Sequence, residues 1–383
     1  MSNPFIYHLP TKIIFGQPAA EAIKAELTAL DVKRVLFVSD PGLAQAGLVE
    51  PITAALAAGG FQITLFTAVS SNPTTTEVAA GLALAQEHNI QALIALGGGS
   101  PIDVAKAIAM LLANGGSYAD YQWGGRLITQ PSYPLLAVPT TAGTGSEVSR
   151  VAVIVDPANP FKKGVLSRTM FPHAAIIDPG LTCSQPAWLT AAAGMDAFIH
   201  ALEAYGGRRA HPFTDQFALT GLRTAWTALP QATHHGDDLE ARQAMMLAAL
   251  WGGIAMDHAG LGLIHALSGP LTSHLHLHHG LANALILPHV LRFNLPAIDP
   301  ARQQTLNEIA GLPPTAEAEA LVEKMASFVE NLGLPTRLAA LDLDLTAVDW
   351  DIVAEETTRM VLIQNNLRPA SVEECRAILA EML

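Results

Sequence analysis

Residues Ala92-Leu93-Ile94-Ala95-Leu96 form an unbroken apolar run that ends in three glycines, Gly97-Gly98-Gly99. A strand wetted on one face alternates apolar and polar side chains. A run without alternation marks a strand covered on both faces, as in parallel sheets. Such a strand needs a helix on each side, so this run commits its part of the chain to an α/β layout. The pattern recurs at Arg34–Asp40, Phe61–Phe66 and Leu135–Pro139. Helical patterns at 21–30, 43–59 and 76–89 separate the runs, and Thr11–Phe15 reads as an edge strand ending at Gly16. Strands are also expected at Val151–Asp156 and Ala174–Asp178, joined by a Lys162-Lys163 turn. After Asp178-Pro179-Gly180 the strand signal fades. From Trp188 nearly every segment is helical in pattern, with breaks expected at Pro230, Gly260, Pro288, Pro313 and Pro335. The division predicted is a doubly wound α/β domain over 1–183 and an all-helical domain over 184–383.

The chain has 383 residues, of which 50% are hydrophobic and only 14% charged. That balance excludes disorder and leaves apolar surface for a homodimer or larger homo-oligomer to cover. A net charge of −13 offers nothing to nucleic acid or an anionic membrane. Two distant cysteines, Cys183 and Cys375, make neither a disulfide framework nor a cysteine-based zinc site, which fits a reduced, cytoplasmic setting. Met1-Ser2-Asn3-Pro4 lacks the features of a signal peptide. The apolar stretch Met245–Met256 is too short to span a bilayer.

Four stretches carry chemistry. Gly97-Gly98-Gly99-Ser100-Pro101 puts glycines at a helix start, where free N–H groups and the helix dipole favour a phosphate. Pro101 suits the first helical turn and Ser100 is expected to cap it. Asp40 closes an earlier parallel strand, where a carboxylate accepts from a ribose 2′-OH and repels a 2′-phosphate; a plain turn aspartate before Pro41-Gly42 is the alternative. Thr140-Thr141-Ala142-Gly143-Thr144-Gly145-Ser146 alternates hydroxyls and glycines close to backbone, as a ligand loop or a capped turn does. Asp196 and His200 share one face of a helix at i and i+4, with His265 and His279 downstream. One carboxylate and three imidazoles suit a divalent transition metal. A satisfied buried polar pair is the competing reading of Asp196 and His200.

These motifs together resemble the iron-containing alcohol dehydrogenases. The resemblance rests on Gly97-Gly98-Gly99-Ser100-Pro101-x-Asp103, on Pro139-Thr140-Thr141-Ala142-Gly143-Thr144-Gly145-Ser146-Glu147, and on Gly194-Met195-Asp196-Ala197 with Glu203. It closes with Gly260-Leu261-Gly262-x-x-His265 and His279-Gly280-x-Ala282-Asn283-Ala284. It implies a dinucleotide-binding parallel-sheet domain followed by an all-helical metal-binding domain, a layout shared with dehydroquinate synthase. It implies Fe(2+), or Zn(2+), on Asp196, His200, His265 and His279. It implies NAD on Asp40, Asn72, Gly97, Gly98, Gly99, Ser100, Asp103, Thr140, Thr141, Thr144 and Lys162, with Ser149, Val151 and Leu181 at the nicotinamide end. The implied activity is hydride transfer between NAD(H) and a small alcohol, diol or hydroxyaldehyde, with the metal as Lewis acid. Apolar residues such as Val151, Met256 and Leu261 suit a short substrate.

One departure stands out. Many members of that family carry a histidine four residues after the one matching His265, and this chain has Gly269. His258 is the first candidate to replace it as proton relay; the alternative is that it only shapes the substrate pocket. Two other classes compete: a metal- and NAD-dependent cyclising lyase of the dehydroquinate synthase type, and a non-catalytic NAD-binding protein. The lyase needs cations for a phosphorylated substrate, and residues 245–290 contain no Lys or Arg.

Overall fold

The computed structural model describes residues 4–383, without the side chains of Trp123, Pro160, Phe161 and Lys162. The chain divides into two compact units, residues 8–141 with 145–184, and residues 185–383 with 142–144 and the N-terminal segment through Tyr7.

The first unit is built on β1 (Lys12–Phe15), α1 (Ala19–Ala29), β2 (Arg34–Val38), α2 (Pro41–Gln45), α3 (Val49–Ala58), β3 (Gln62–Phe66), α4 (Thr75–Glu87), β4 (Ala92–Gly97), α5 (Gly99–Asn114), β5 (Leu135–Pro139), β6 (Val151–Asp156), β7 (Asn159–Leu166) and β8 (Ala174–Ile177). Six strands make a wholly parallel sheet in the order β1-β8-β5-β4-β2-β3. Its central strands are buried on both faces, as their unbroken apolar runs require. One core lies under α4 and α5, and the other under α1 and α3.

The structure corrects two sequence expectations here. The helical pattern 43–59 is two helices, broken at Gly47 with φ +75°. Lys162-Lys163 is not a turn but part of β7, which pairs antiparallel with β6 in a separate hairpin. Tyr118 and Gln122 fasten that hairpin: Tyr118 Oη donates to Ala152 O at 2.7 Å, and Gln122 Nε2 donates to Ile154 O and Lys163 O, each at 2.9 Å.

The second unit contains α6 (Ala187–Gly206), α7 (Pro212–His234), α8 (Leu239–Ala259), α9 (Leu263–Leu275), α10 (His279–Asn294), α11 (Pro300–Ile309), α12 (Ala318–Asn331), α13 (Trp350–Arg359) and α14 (Val372–Met382). Helix α6 is its axis and is buried from Thr190 to Tyr205. Glycines let other helices close on it. A Cβ at Gly252 of α8 would lie 2.8 Å from Ala197 O, and one at Gly280 of α10 would overlap Ala192 O. Pro230 and Pro288 do not break helices as expected; they lie inside α7 and α10. Tertiary burial of both helices outweighs the lost N–H. No single helix among the described residues is long and apolar enough to cross a membrane.

Candidate metal centre

Helix α6 presents Asp196, His200 and Glu203 at i, i+4 and i+7, the spacing of one face. His265 stands in the first turn of α9, and His279 opens α10. Three imidazole nitrogens converge on one carboxylate oxygen. His265 Nε2 is 3.4 Å, His200 Nε2 3.5 Å and His279 Nε2 3.7 Å from Asp196 Oδ1. Two donors about 2.1 Å from one ion at a tetrahedral angle are about 3.4 Å apart, so these separations fit first-row metal ligation. Ligand atoms of Asp196, His265 and His279 lie within 4.8 Å of one another. The His200 and His265 rings stack at 4.8 Å. The donor set therefore fits a divalent ion. The side chains of Asp196, His200 and His265 are at most 5% exposed, whereas His279 is 43% exposed, which marks the open side.

The electrostatics follow from burial. Burial opposes ionisation of Asp196, but the rings of His200, His265 and His279 outweigh it and hold the carboxyl well below the usual range. His200 is lowered by burial, partly offset by Asp196. His265 is also disfavoured by burial, yet Glu203 and Asp196 together raise it to about 9.

Glu203 is the residue whose role the sequence did not disclose. Its Oε2 accepts from His265 Nδ1 at 2.6 Å and its Oε1 from Ile264 N at 2.7 Å. That bond holds a proton on Nδ1, so Nε2 is the nitrogen that gives up its proton and turns a lone pair to an ion. The turn before His265 is secured from the C-terminal region. Asn365 Nδ2 donates to Ala259 O and Leu261 O, and Asn366 Oδ1 accepts from Leu263 N. No motif marks these asparagines.

His258, expected as the relay, is packed inside the helical unit. Its side chain is 3% exposed, its Nδ1 faces Ile254 O at 3.0 Å, and its ring stacks on Tyr7 at 4.3 Å. Those contacts seat the N-terminal segment on α8. At Gly269 an added Cβ would come 3.1 Å from Met360 Cε, so a methionine methyl occupies the place beside it. Met256 belongs to the helical core, with Leu261 packed against it.

The α/β unit places the expected dinucleotide residues as follows. Gly97 has φ +155°, and a Cβ there would lie 2.5 Å from Pro101 Cγ, so the turn requires glycine. Gly98 is the N-cap of α5, leaving the N–H groups of Gly99 and Ser100 without intrahelical acceptors. Ser100 is not the cap; its Oγ donates to Ser71 O at 3.0 Å. Thr140 N donates to Gly97 O at 3.0 Å, and Thr141 Oγ1 would be 3.3 Å from a Cβ on Gly98. Asn72 is exposed before α4, and Leu181 is half-buried in the turn Pro179–Thr182. Thr144 is half-buried in the short segment grouped with the helical unit. The Lys162 side chain lies outside the described residues.

Three of these residues are committed to the protein itself. Asp40 caps α2, its Oδ1 accepting from Leu43 N at 2.9 Å. Asp103 accepts from Ser146 Oγ at 2.5 Å and Val153 N at 2.8 Å. Ser149 Oγ accepts from Lys106 Nζ at 3.1 Å. Lys106, unremarked in the sequence, is fully buried and also donates to Ser146 Oγ at 2.9 Å and Val151 O at 2.8 Å. It ties the hydroxyl-glycine loop to β6. Beside it, burial lifts the Glu147 carboxyl to about 7.

Comparison with known proteins agrees over the whole length. Residues 10–179 match the family model described as iron-containing alcohol dehydrogenase, and residues 190–383 match the C-terminal model of the same family. An NAD-dependent methanol dehydrogenase from Bacillus methanolicus is 35% identical, covering 100% of both chains. A 4-hydroxybutyrate dehydrogenase from Cupriavidus necator is 39% identical over 87% of this chain and 88% of its own. A crystal structure of a 1,3-propanediol oxidoreductase superposes with a TM-score of 0.93 at 34% identity, covering 100% of both. The cyclising-lyase alternative finds no support, because both halves match dehydrogenase models. Geometry of the helical unit and similarity from end to end agree: the chain belongs to the iron-containing alcohol dehydrogenases, a family of oxidoreductases.

Proposed function

We propose that this chain oxidises a small alcohol or diol, or reduces the matching aldehyde or hydroxyaldehyde, with NAD(H) as hydride carrier. Fe(2+) is the ion assigned to Asp196, His200, His265 and His279, and Zn(2+) suits the same donors. The observation that carries the reading is the convergence of three Nε2 atoms on Asp196 Oδ1 at 3.4 to 3.7 Å. The ion supplies Lewis acidity at the substrate oxygen. The chain supplies the rest. Asp196 balances the charge, and Glu203 holds the proton at His265 Nδ1. Asp196, His200 and His265 are buried away from water, while the exposed flank of His279 admits substrate. The free N–H groups at the start of α5 take the pyrophosphate, and Asp40 favours a 2′-OH over a 2′-phosphate. Relatives named for methanol, 4-hydroxybutyrate and 1,3-propanediol support a short hydroxylated substrate. The enzyme is assigned to the cytoplasm on its two distant cysteines and to a homo-oligomer on its apolar excess.

The test is NADH formation from a panel of small alcohols by chelator-stripped protein reloaded with Fe(II), Zn(II) or Mn(II). Turnover is expected only after reloading. Equal rates from stripped and reloaded protein would refute the metal assignment.

A further inference from the structure

Asn283 stands one helical turn after His279 on α10 and is fully buried. Its Nδ2 donates to Asp196 Oδ1 at 2.7 Å and lies 3.2 Å from His265 Nε2 and 3.3 Å from His279 Nε2. One amide nitrogen thus touches three of the four atoms assigned to the ion. Chemistry fixes which end of the amide points inward. A carboxylate only accepts, and with an ion bound the Nε2 atoms of His265 and His279 have no proton to donate. An amide oxygen in that place would confront acceptors on every side. The orientation leaves Asn283 Oδ1 buried without a hydrogen-bond partner among the described residues, an arrangement proteins avoid. The inward donor is therefore what the position is shaped to provide.

We propose that Asn283 is a positioning residue of the metal centre: its amide N–H holds Asp196 Oδ1 at the point where the three imidazoles converge, and so sets the affinity and geometry of the ion. This rests on the assignment of Asp196, His200, His265 and His279 as ligands. The bond spans 87 residues and joins α10 to α6, fixing one ligand from the helix that bears another. Partners outside the ligand set orient metal-bound carboxylates and imidazoles, and losing one typically costs 10- to 100-fold in affinity.

Asn283→Leu keeps the branched heavy-atom skeleton and removes the donor. Asn283→Ser keeps a smaller donor and tolerates the site if leucine does not fold. The probes are Zn(II) and Co(II), with affinity measured against a competing chelator and the visible absorption of bound Co(II) reporting coordination geometry. Asn283→Leu is expected to bind about 10- to 100-fold more weakly with an altered Co(II) spectrum, and Asn283→Ser to fall between it and wild type. A residue that merely fills space would lower the unfolding temperature and leave both readouts alone. Affinities within twofold of wild type and an unchanged spectrum, in whichever variant folds, overturn the proposal. Wild-type protein that binds no ion overturns the ligand assignment itself, a distinct result.

Discussion

Replacing Glu203 by Gln tests how the centre handles protons. A glutamine offers one oxygen where the carboxylate offers two, so either Ile264 N or His265 Nδ1 loses its acceptor. The loss of an outer partner weakens metal binding about 10- to 100-fold. A second effect runs the other way. His265 is raised to about 9, so below that pH the ion must displace a proton. At pH 7.5 the competition lowers wild-type affinity about 30-fold, and between pH 6.5 and 9 apparent affinity climbs about tenfold per unit. Without the Glu203 charge His265 falls back towards its ordinary value, and the slope flattens above neutrality. The two proteins therefore differ most at pH 9.5, where wild type binds about 10- to 100-fold tighter, and converge towards pH 7. Chelator competition with Zn(II) at half-unit pH steps, with proton release read by an indicator, measures both curves. Parallel curves would refute the claim that Glu203 governs the His265 proton. Equal affinities at pH 9.5 would refute its positioning role.

Further outcomes follow from other contacts. Glu147 is buried with its carboxyl raised to about 7, so it costs the fold nothing while protonated and its penalty grows from the ordinary 4.5 upward, complete above pH 7. Glu147→Gln should gain about 3 kcal/mol in urea unfolding at pH 8.5 and nothing at pH 4.5; an equal gain at both refutes the cause. His258→Ala should leave the pH profile of turnover in place and expose the N-terminal segment to protease, whereas a shifted profile would restore the relay. Asp40→Asn keeps an oxygen for Leu43 N and drops the charge, so NADP use should rise with stability unchanged; a wild type that uses both cofactors equally contradicts the ribose assignment. Gly280→Ala pushes a methyl into Ala192 O and should fail to retain metal or fail to fold, which metal content of the soluble fraction decides.

Much of the fold could be read from the chain because a parallel strand writes its burial into consecutive residues, as 92–96 and 135–139 do. The hairpin was harder. Asn159–Leu166 carries Pro160 and two lysines, the look of a turn, and becomes a strand by pairing with β6 and by bonds with Tyr118 and Gln122 some 40 residues away. Pro230 and Pro288 looked like helix ends because local rules ignore the burial that holds α7 and α10 together. The four ligand candidates were visible as residue types and spacings. Glu203 and Asn283 also stood in the motifs, but their roles depend on meeting His265 and Asp196 across 62 and 87 residues. Nothing in a sequence separates a buried Lys106 from a surface lysine on the same helix pattern.

The convergence on Asp196 has a consequence for the making of the protein. Helix α6 leaves the ribosome carrying Asp196, but Asn283 is synthesised 87 residues later. At about 5–20 residues per second that interval is about 4–17 s. For that time a helix destined for near-complete burial is a nascent chain without its partners from α10. Its apolar flanks and its unpaired carboxylate are then open to chaperones, to neighbouring chains and to stray cations.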